Sequence, residues 1–96
     1  MIFCKLRATG RVQGVNYRFF VLQCARKMGV SGYVKNMDDE SVEIIAEAKD
    51  RAQLDEFKRM ISSSGGSVMG HEVDDLRVES EEESPKQRYE GFQIAY

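Results

Sequence analysis

The sequence predicts an α+β domain whose elements follow the order βαββαβ, with a short extra strand near the C-terminal end. Several short segments alternate apolar and polar residues, which is typical of strands with one buried face. Two further segments repeat apolar residues every three or four positions, which is typical of amphipathic helices. The 96 residues, 42% hydrophobic and 31% charged, fit one small globular domain covering residues 1–96.

The first strand and the first helix are the most regular part of the pattern. Apolar side chains take every second position in residues 2–9, and Gly10 is predicted to end this strand. From residue 17 to residue 28 the apolar spacing changes to three and four, which predicts a helix. Asn16 is a residue type that caps helix starts, and Gly29 is the type that closes helices.

A hairpin and a second helix are predicted next. Residues 30–35 and 41–48 read as strands that are joined by a polar turn after Asn36. Asp50 and Gln53 resemble a capping box, in which two side chains satisfy the first N–H groups of a helix. The apolar stripe of this helix consists of Leu54, Phe57, Met60 and Ile61, and residues 62–66 are predicted to end it.

The last third contains a predicted fourth strand within residues 68–80, a solvated loop at residues 81–86 and a short closing strand at residues 91–96. The complete order is the split βαβ, ferredoxin-like arrangement, with both helices on one face of a mainly antiparallel sheet. Right-handed crossovers place the third strand between the first two, which run parallel. The loop at residues 10–16 and the turn after Asn36 are therefore expected to face one another.

Charge is unevenly distributed along the chain. Residues 1–36 contain seven basic residues and no acidic one, although the net charge of the whole chain is −2. A basic segment of this kind favours an anionic ligand, with chance segregation as the alternative.

Composition excludes several other classes of protein. No apolar run reaches the roughly 20 residues of a membrane span, and Lys5 interrupts any signal-peptide core, so we expect a cytoplasmic protein without a membrane partner. Cys4 and Cys24 lack the spacing of a metal or redox motif and are expected to be reduced and buried. His71 is the only histidine, which excludes sites that need two.

The loop between the first strand and the first helix is the strongest functional signal. Its sequence, Gly10-Arg11-Val12-Gln13-Gly14-Val15-Asn16-Tyr17-Arg18, leads directly into a helix N-terminus. Two glycines allow backbone N–H groups to turn inward, and the helix dipole adds positive potential, so the loop can cradle an oxyanion. A cation in the first helical turn, here Arg18, opposes the dipole unless an anion lies beside it. An ordinary tight turn followed by an exposed arginine is the alternative interpretation.

This segment, together with Gly32, Val34 and Asn36, resembles the signature of the acylphosphatase family. The resemblance implies an enzyme that hydrolyses acyl phosphates to carboxylate and inorganic phosphate by direct attack of water, without metal or cofactor. It also implies a monomer that is inhibited by its phosphate product. In the pattern, Arg18 binds the phosphate and Asn36 positions the water as catalytic residues. The predicted phosphate-binding residues are Gln13, Gly14, Val15, Asn16, Tyr17 and Arg18.

The sequence departs from the family pattern at two places. Glu40 stands where a glycine is expected in the turn, and the acids around it are predicted to repel an anionic substrate. Gly65-Gly66 replaces the usual Gly-Pro after the second helix.

Three other functions fit the same element order less well. An RNA-recognition domain requires exposed aromatic residues on its central strands, whereas residues 41–47 contain none and include two acids, so no nucleic acid is expected. A metal carrier would require paired thiols in the first loop. A non-catalytic, acylphosphatase-like anion-binding domain stays open as the main alternative.

Overall fold

The structure is a computed structural model that describes residues 1–63, 70–83 and 85–96. Within these residues it confirms the predicted order of elements. They are β1 (Ile2–Arg11), α1 (Tyr17–Met28), β2 (Ser31–Asn36), β3 (Val42–Ala48), α2 (Arg51–Ile61), β4 (Glu72–Glu83) and β5 (Phe92–Ala95). Neither helix is long and apolar enough to cross a membrane, among the residues described.

The strands form one sheet in the order β4-β1-β3-β2-β5. Every pair is antiparallel except β2 with β5, which is parallel. The prediction that β3 lies between β1 and β2 is confirmed. Ala8 of β1 and Asn36 of β2 both pair with Val42 of β3, so the C-terminal ends of β1 and β2 meet at the same edge of the sheet.

The core lies between the sheet and the two helices. Alternate side chains of β1 face inward and pack against one apolar stripe from each helix. The Tyr17 hydroxyl donates a hydrogen bond to the Ile61 carbonyl at 2.7 Å, which joins the start of α1 to the end of α2. Cys4 and Cys24 are free and buried as predicted. Burial raises the pKa of the Cys4 thiol to about 11, so this thiol is protonated and unreactive at neutral pH.

The start of α2 follows its sequence closely. The Asp50 carboxylate accepts a hydrogen bond from the Gln53 N–H at 2.8 Å, as expected of an N-cap. The Gln53 side chain accepts from the Lys49 N–H, one residue earlier than in the usual capping box.

The end of β1 differs from the prediction. Gly10 does not end the strand, which continues to Arg11 and pairs with the beginning of β4. Gly10 has a φ of 120°, and a Cβ there would lie 2.5 Å from the Glu72 carbonyl oxygen. The glycine therefore permits close pairing at an irregular point of the ladder instead of stopping it.

The course of β4 also differs from the prediction. Glu81, Glu82 and Glu83, predicted as part of a solvated loop, extend β4 and pair with Cys4, Phe3 and Ile2. An edge strand requires only backbone bonds to one neighbour, so its charged side chains stay exposed without loss. The predicted beginning of this strand at residues 68–69, and Gly65-Gly66, lie outside the described residues.

The connection from β4 to β5 is anchored to the sheet by a buried carboxylate. Glu47 is 1% exposed and accepts hydrogen bonds from the N–H groups of Arg88 and Tyr89 at 2.7 and 2.8 Å. These bonds fix the chain where it turns toward β5, which then runs beside β2 to the edge that carries Asn36.

Candidate active site

The loop that joins β1 to α1 is held down by its apolar residues and curved by two left-handed ones. Val12 and Val15 are buried and attach the loop to the core. Gly14 and Asn16 have φ angles of 73° and 64°. The chain therefore turns sharply before it enters α1, and its backbone forms a concave surface at the helix N-terminus.

Asn16 is the N-cap residue of α1 as predicted, but its side chain does not cap the helix. The residue is in the left-handed conformation, and its side chain makes no capping hydrogen bond. The first helical bond runs from the Phe20 N–H to the Asn16 carbonyl at 3.2 Å. The N–H groups of the first helical turn, which come before that of Phe20, thus have no acceptor within the helix, and this turn contains no acidic residue. An unsatisfied helix start of this kind attracts anions.

Gln13 connects this loop to the turn after β2. Its side-chain amide donates hydrogen bonds to the carbonyls of Met37 and Ser41, both at 2.8 Å. The predicted meeting of loop and turn is confirmed by these bonds. Because the side chain is engaged in this way, only the backbone of Gln13 is free to contact an anion.

A pocket of about 270 Å³ opens between the helix start and the ends of β2 and β5. It is lined by Gly14, Asn16, Tyr17, Arg18, Phe19, Asn36, Ile94 and Tyr96. Arg18 and Asn36, which come from different elements, share this pocket. Gln13 and Val15, predicted with the others to hold phosphate, are not part of its lining.

Arg18 places a positive charge in the pocket that no carboxylate of the described residues neutralises. Its guanidinium carbon lies 5.2 Å from the centroid of the Tyr96 ring, a cation–π distance. The sequence predicted Tyr96 only as the last apolar position of a strand. Alternation with Phe92 and Ile94 indicates which way it points, but nothing in the sequence indicates its contact with Arg18.

Asn36 is the last residue of β2, and its Oδ1 is buried without a hydrogen-bond partner among the described residues. Buried polar atoms are almost always paired, either with protein or with ordered water. The carbonyl oxygen of an asparagine accepts hydrogen bonds, and water can donate them. Asn36 therefore brings an unused hydrogen-bond acceptor to the end of β2 that borders the pocket.

In the acidic turn after β2, the carboxylate of Asp39 is hydrogen-bonded within the turn. Asp39 accepts hydrogen bonds from the hydroxyl and the N–H of Ser41, and the Arg7 guanidinium lies 3.5 Å away. The Ser41 hydrogen bonds, with a smaller contribution from Arg7, hold the pKa of Asp39 below its usual value. Asp38 and Glu40 are exposed, and Glu40 has a φ of 71°.

The fold and the site together define a ferredoxin-like sandwich with a sharply turned loop and an arginine at the start of its first helix. Comparison with known proteins gives the family. The sequence model of the acylphosphatase family matches residues 4–94, and the chain belongs to this family.

Relatives and solved structures agree with this assignment. The acylphosphatase of Archaeoglobus fulgidus is 36% identical over 98 residues, covering all of both chains. The acylphosphatase of Thermotoga maritima is 39% identical over 92 residues, covering 96% of this chain and 94% of the relative. The crystal structure of acylphosphatase from Bacillus subtilis has a TM-score of 0.87 and 36% identity over the whole of both chains. The predicted family, fold and enzyme class are thereby confirmed.

Proposed function

We propose that this acylphosphatase hydrolyses small acyl phosphates by direct attack of water on phosphorus, without a metal or cofactor. One observation carries the proposal. Arg18 and Asn36 border the same pocket at the start of α1, and the Oδ1 of Asn36 has no hydrogen-bond partner among the described residues. A phosphoryl group and the water that attacks it require these two kinds of polar group side by side.

The phosphoryl group is bound by the loop and by Arg18. The free N–H groups of the first helical turn donate to its oxygens, and the helix dipole favours its charge. A guanidinium can contact two phosphate oxygens at once, which fixes orientation as well as charge. These donors stabilise the negative charge of the transferring group in the transition state.

Asn36 orients the water. Its Oδ1 accepts a hydrogen bond from the water, whose oxygen forms a new bond to phosphorus while the bond from phosphorus to the acyl oxygen breaks. The electron pair of the broken bond leaves with the carboxylate, and the water proton passes to a phosphate oxygen. Because a carboxylate is a good leaving group, positioning and charge neutralisation suffice and Asn36 need not act as a base.

The proposal is tested by phosphate release from benzoyl phosphate in ¹⁸O-labelled water, with and without a chelator. We expect release at the same rate in both cases, with the label in inorganic phosphate and none in benzoate. Label in benzoate would mean attack at the carbonyl carbon, and loss of activity with the chelator would mean that a metal takes part. Phosphate binding without turnover would identify the alternative, a non-catalytic anion-binding domain.

The proposal extends to the setting of the reaction. Inorganic phosphate is expected to compete with substrate, because both would occupy the same loop. The proposal includes a monomer, as the family resemblance implies. The free cysteines support a cytoplasmic location, where thiols stay reduced. Small acyl phosphates, rather than nucleic acids or membranes, are the proposed partners.

A further inference from the structure

Exposed apolar side chains are concentrated at the phosphate pocket. Among the described residues, three large hydrophobic side chains are exposed, namely Phe19 (45%), Val78 (42%) and Tyr96 (92%). Two of them, Phe19 and Tyr96, line the pocket that contains Arg18 and Asn36. Half-buried Ile94 lies in the same lining. An apolar surface that continues a polar binding pocket is typical of a site for the rest of a ligand.

The phosphoryl group and the water leave these apolar residues unused. Gly14, Arg18 and Asn36 supply the polar contacts that the proposed reaction requires. The attacking water and the leaving acyl oxygen lie on opposite sides of phosphorus, so the acyl half points away from the water held by Asn36. Within the pocket, the apolar lining other than the buried Tyr17 is the surface formed by Phe19, Ile94 and Tyr96, which we call the apolar platform.

Phe19 has no packing role that would explain its position. It lies in the first turn of α1 and is not among the residues that form or flank the core, whereas the neighbouring Phe20 packs against that core. A half-exposed aromatic side chain leaves apolar surface in contact with water and forgoes the free energy of burying it. A ligand that covers the ring would recover this free energy. Tyr96 lies under the guanidinium of Arg18, which places the platform next to the phosphate-binding charge.

We propose that the apolar platform binds the acyl half of the substrate and that Phe19 determines a preference for apolar, especially aromatic, acyl groups. This inference rests on the proposed function, since it assumes that the phosphoryl group occupies the loop. It assigns the second half of the substrate to residues of α1, β5 and the position after β5, and it names the chemical class as acyl phosphates whose acyl group is uncharged and has substantial apolar surface.

The test compares benzoyl phosphate with acetyl phosphate in the wild-type protein and in Phe19→Ala. Taking the ratio of the two kcat/KM values in each protein, and then comparing these ratios, cancels the intrinsic reactivity of the substrates. We expect Phe19→Ala to lower the ratio about three- to tenfold, since an aromatic contact contributes about 0.5–1.5 kcal/mol beyond area burial. Phe19→Leu should keep part of the preference.

Val78→Ala is the matched control, because Val78 is equally exposed but lies on β4, outside the phosphate pocket. It should leave the ratio unchanged. Competitive inhibition by phenylphosphonate and by methylphosphonate gives the same comparison without turnover. The phenyl compound should lose more affinity than the methyl compound in Phe19→Ala.

An unchanged ratio in Phe19→Ala, with both substrates still hydrolysed, would overturn the inference and leave the proposed function standing. A ratio that responds instead to Lys35→Met would also overturn it. Lys35 lines a neighbouring pocket of about 310 Å³ on the other side of Asn36, and the acyl half would then lie there. Failure of the wild-type protein to hydrolyse either substrate would be a failure of the proposed function itself.

Discussion

The loop before α1 and the turn after β2 lie side by side at one edge of the sheet, but they use their backbones in opposite ways. In the turn, the Met37 N–H donates to the Ser41 carbonyl at 2.8 Å, and the Glu40 N–H donates to the Met37 carbonyl at 3.3 Å. In the loop and first helical turn, N–H groups stay without an acceptor in the helix. The turn bonds its own N–H groups, whereas those of the loop and the first helical turn are available to a ligand.

The loop before α1 and the turn after β2 also differ in charge. The turn carries Asp38, Asp39 and Glu40, while the loop and the first turn of α1 carry no acid. A segment with unsatisfied donors and uncompensated positive charge is suited to binding. A segment with satisfied donors is suited to holding a shape. The turn therefore serves as the support that holds Asn36 and, through Gln13, the loop itself.

The largest effect is expected from Arg18→Gln, which removes the positive charge from the first turn of α1. Turnover of benzoyl phosphate should fall at least about a thousandfold, and inhibition by phosphate should disappear, because the guanidinium serves the anion. Thermal unfolding should change little, since Arg18 lies outside the core. Even Arg18→Lys should recover little, because it lacks the forked geometry. Arg26→Gln, in the last turn of the same helix, is the control, and activity of Arg18→Ala within a few-fold of the parent would rule out the role.

Asn36→Ala tests whether the supporting side also contributes to the chemistry. If Asn36 holds the water, kcat and kcat/KM should fall together by about a hundred- to a thousandfold. Phosphate affinity, measured as competitive inhibition, should stay nearly intact. A loss of stability with only a modest kinetic change would mean that the asparagine serves the turn alone.

Gln13→Ala breaks the connection between the two segments. We expect kcat/KM to fall about tenfold, because the loop is then no longer held in a fixed position relative to Asn36. Small displacements of reacting groups slow reactions strongly. Stability should fall by about 1–2 kcal/mol with two hydrogen bonds removed. Gln23→Ala, at an exposed site on α1, is the matched control. Lost stability with unchanged kinetics would show that the bonds hold the fold but not the site.

The exposed carboxylates of the turn should repel anionic substrates. Replacing Asp38 by Asn and Glu40 by Gln should lower KM about two- to threefold at low ionic strength and less at high salt, as screening reduces the repulsion. Asp39 is left unchanged because it is bound within the turn. The same KM in parent and variant across an ionic-strength series would show that these charges are too well solvated to act.

The smallest effect concerns left-handed backbone, which both segments contain. Glu40→Gly should raise the free energy of unfolding by about 0.5–1 kcal/mol. The left-handed backbone conformation costs a non-glycine residue about 1–2 kcal/mol, and the greater entropy of glycine in the unfolded chain offsets part of the gain from removing this cost. Asn16→Gly should gain less, because asparagine tolerates this conformation. Denaturant unfolding of the two variants checks the difference, and equal gains would contradict it.

Periodicity predicted most of the fold, and the errors have physical causes. Apolar alternation and helical spacing located every element, because burial of one face is written into neighbouring residues. The charged run at residues 81–83 was misjudged, since an edge strand requires no apolar side chains when backbone bonding to β1 suffices. Gly10 was misjudged because glycine can have either of two roles in a strand. It can end the strand, or, as here, it can allow a neighbouring strand to approach closely.

The site was predicted in part, as far as short motifs and crossover handedness reach. These brought Arg18 and Asn36 to one edge, and the structure places both in one pocket. The sequence did not reveal the left-handed conformation of Glu40, the hydrogen bonds of Gln13 or the position of Tyr96 beneath Arg18. The last two depend on chain segments that are distant in sequence, whereas the expected glycine at position 40 was a local sign of the left-handed turn.

The position of β5 at the edge of the sheet has a consequence for how the protein opens. β5 spans four residues and is bonded only to β2, whereas β1 is bonded along its length to two neighbours. Native proteins open locally in units, and weakly bonded edge elements open at a lower free energy than the core. Because Ile94 and Tyr96 form one wall of the pocket, that wall belongs to a low-stability unit of the sheet. We therefore expect this wall of the pocket to loosen before the core of the sheet does, without global unfolding.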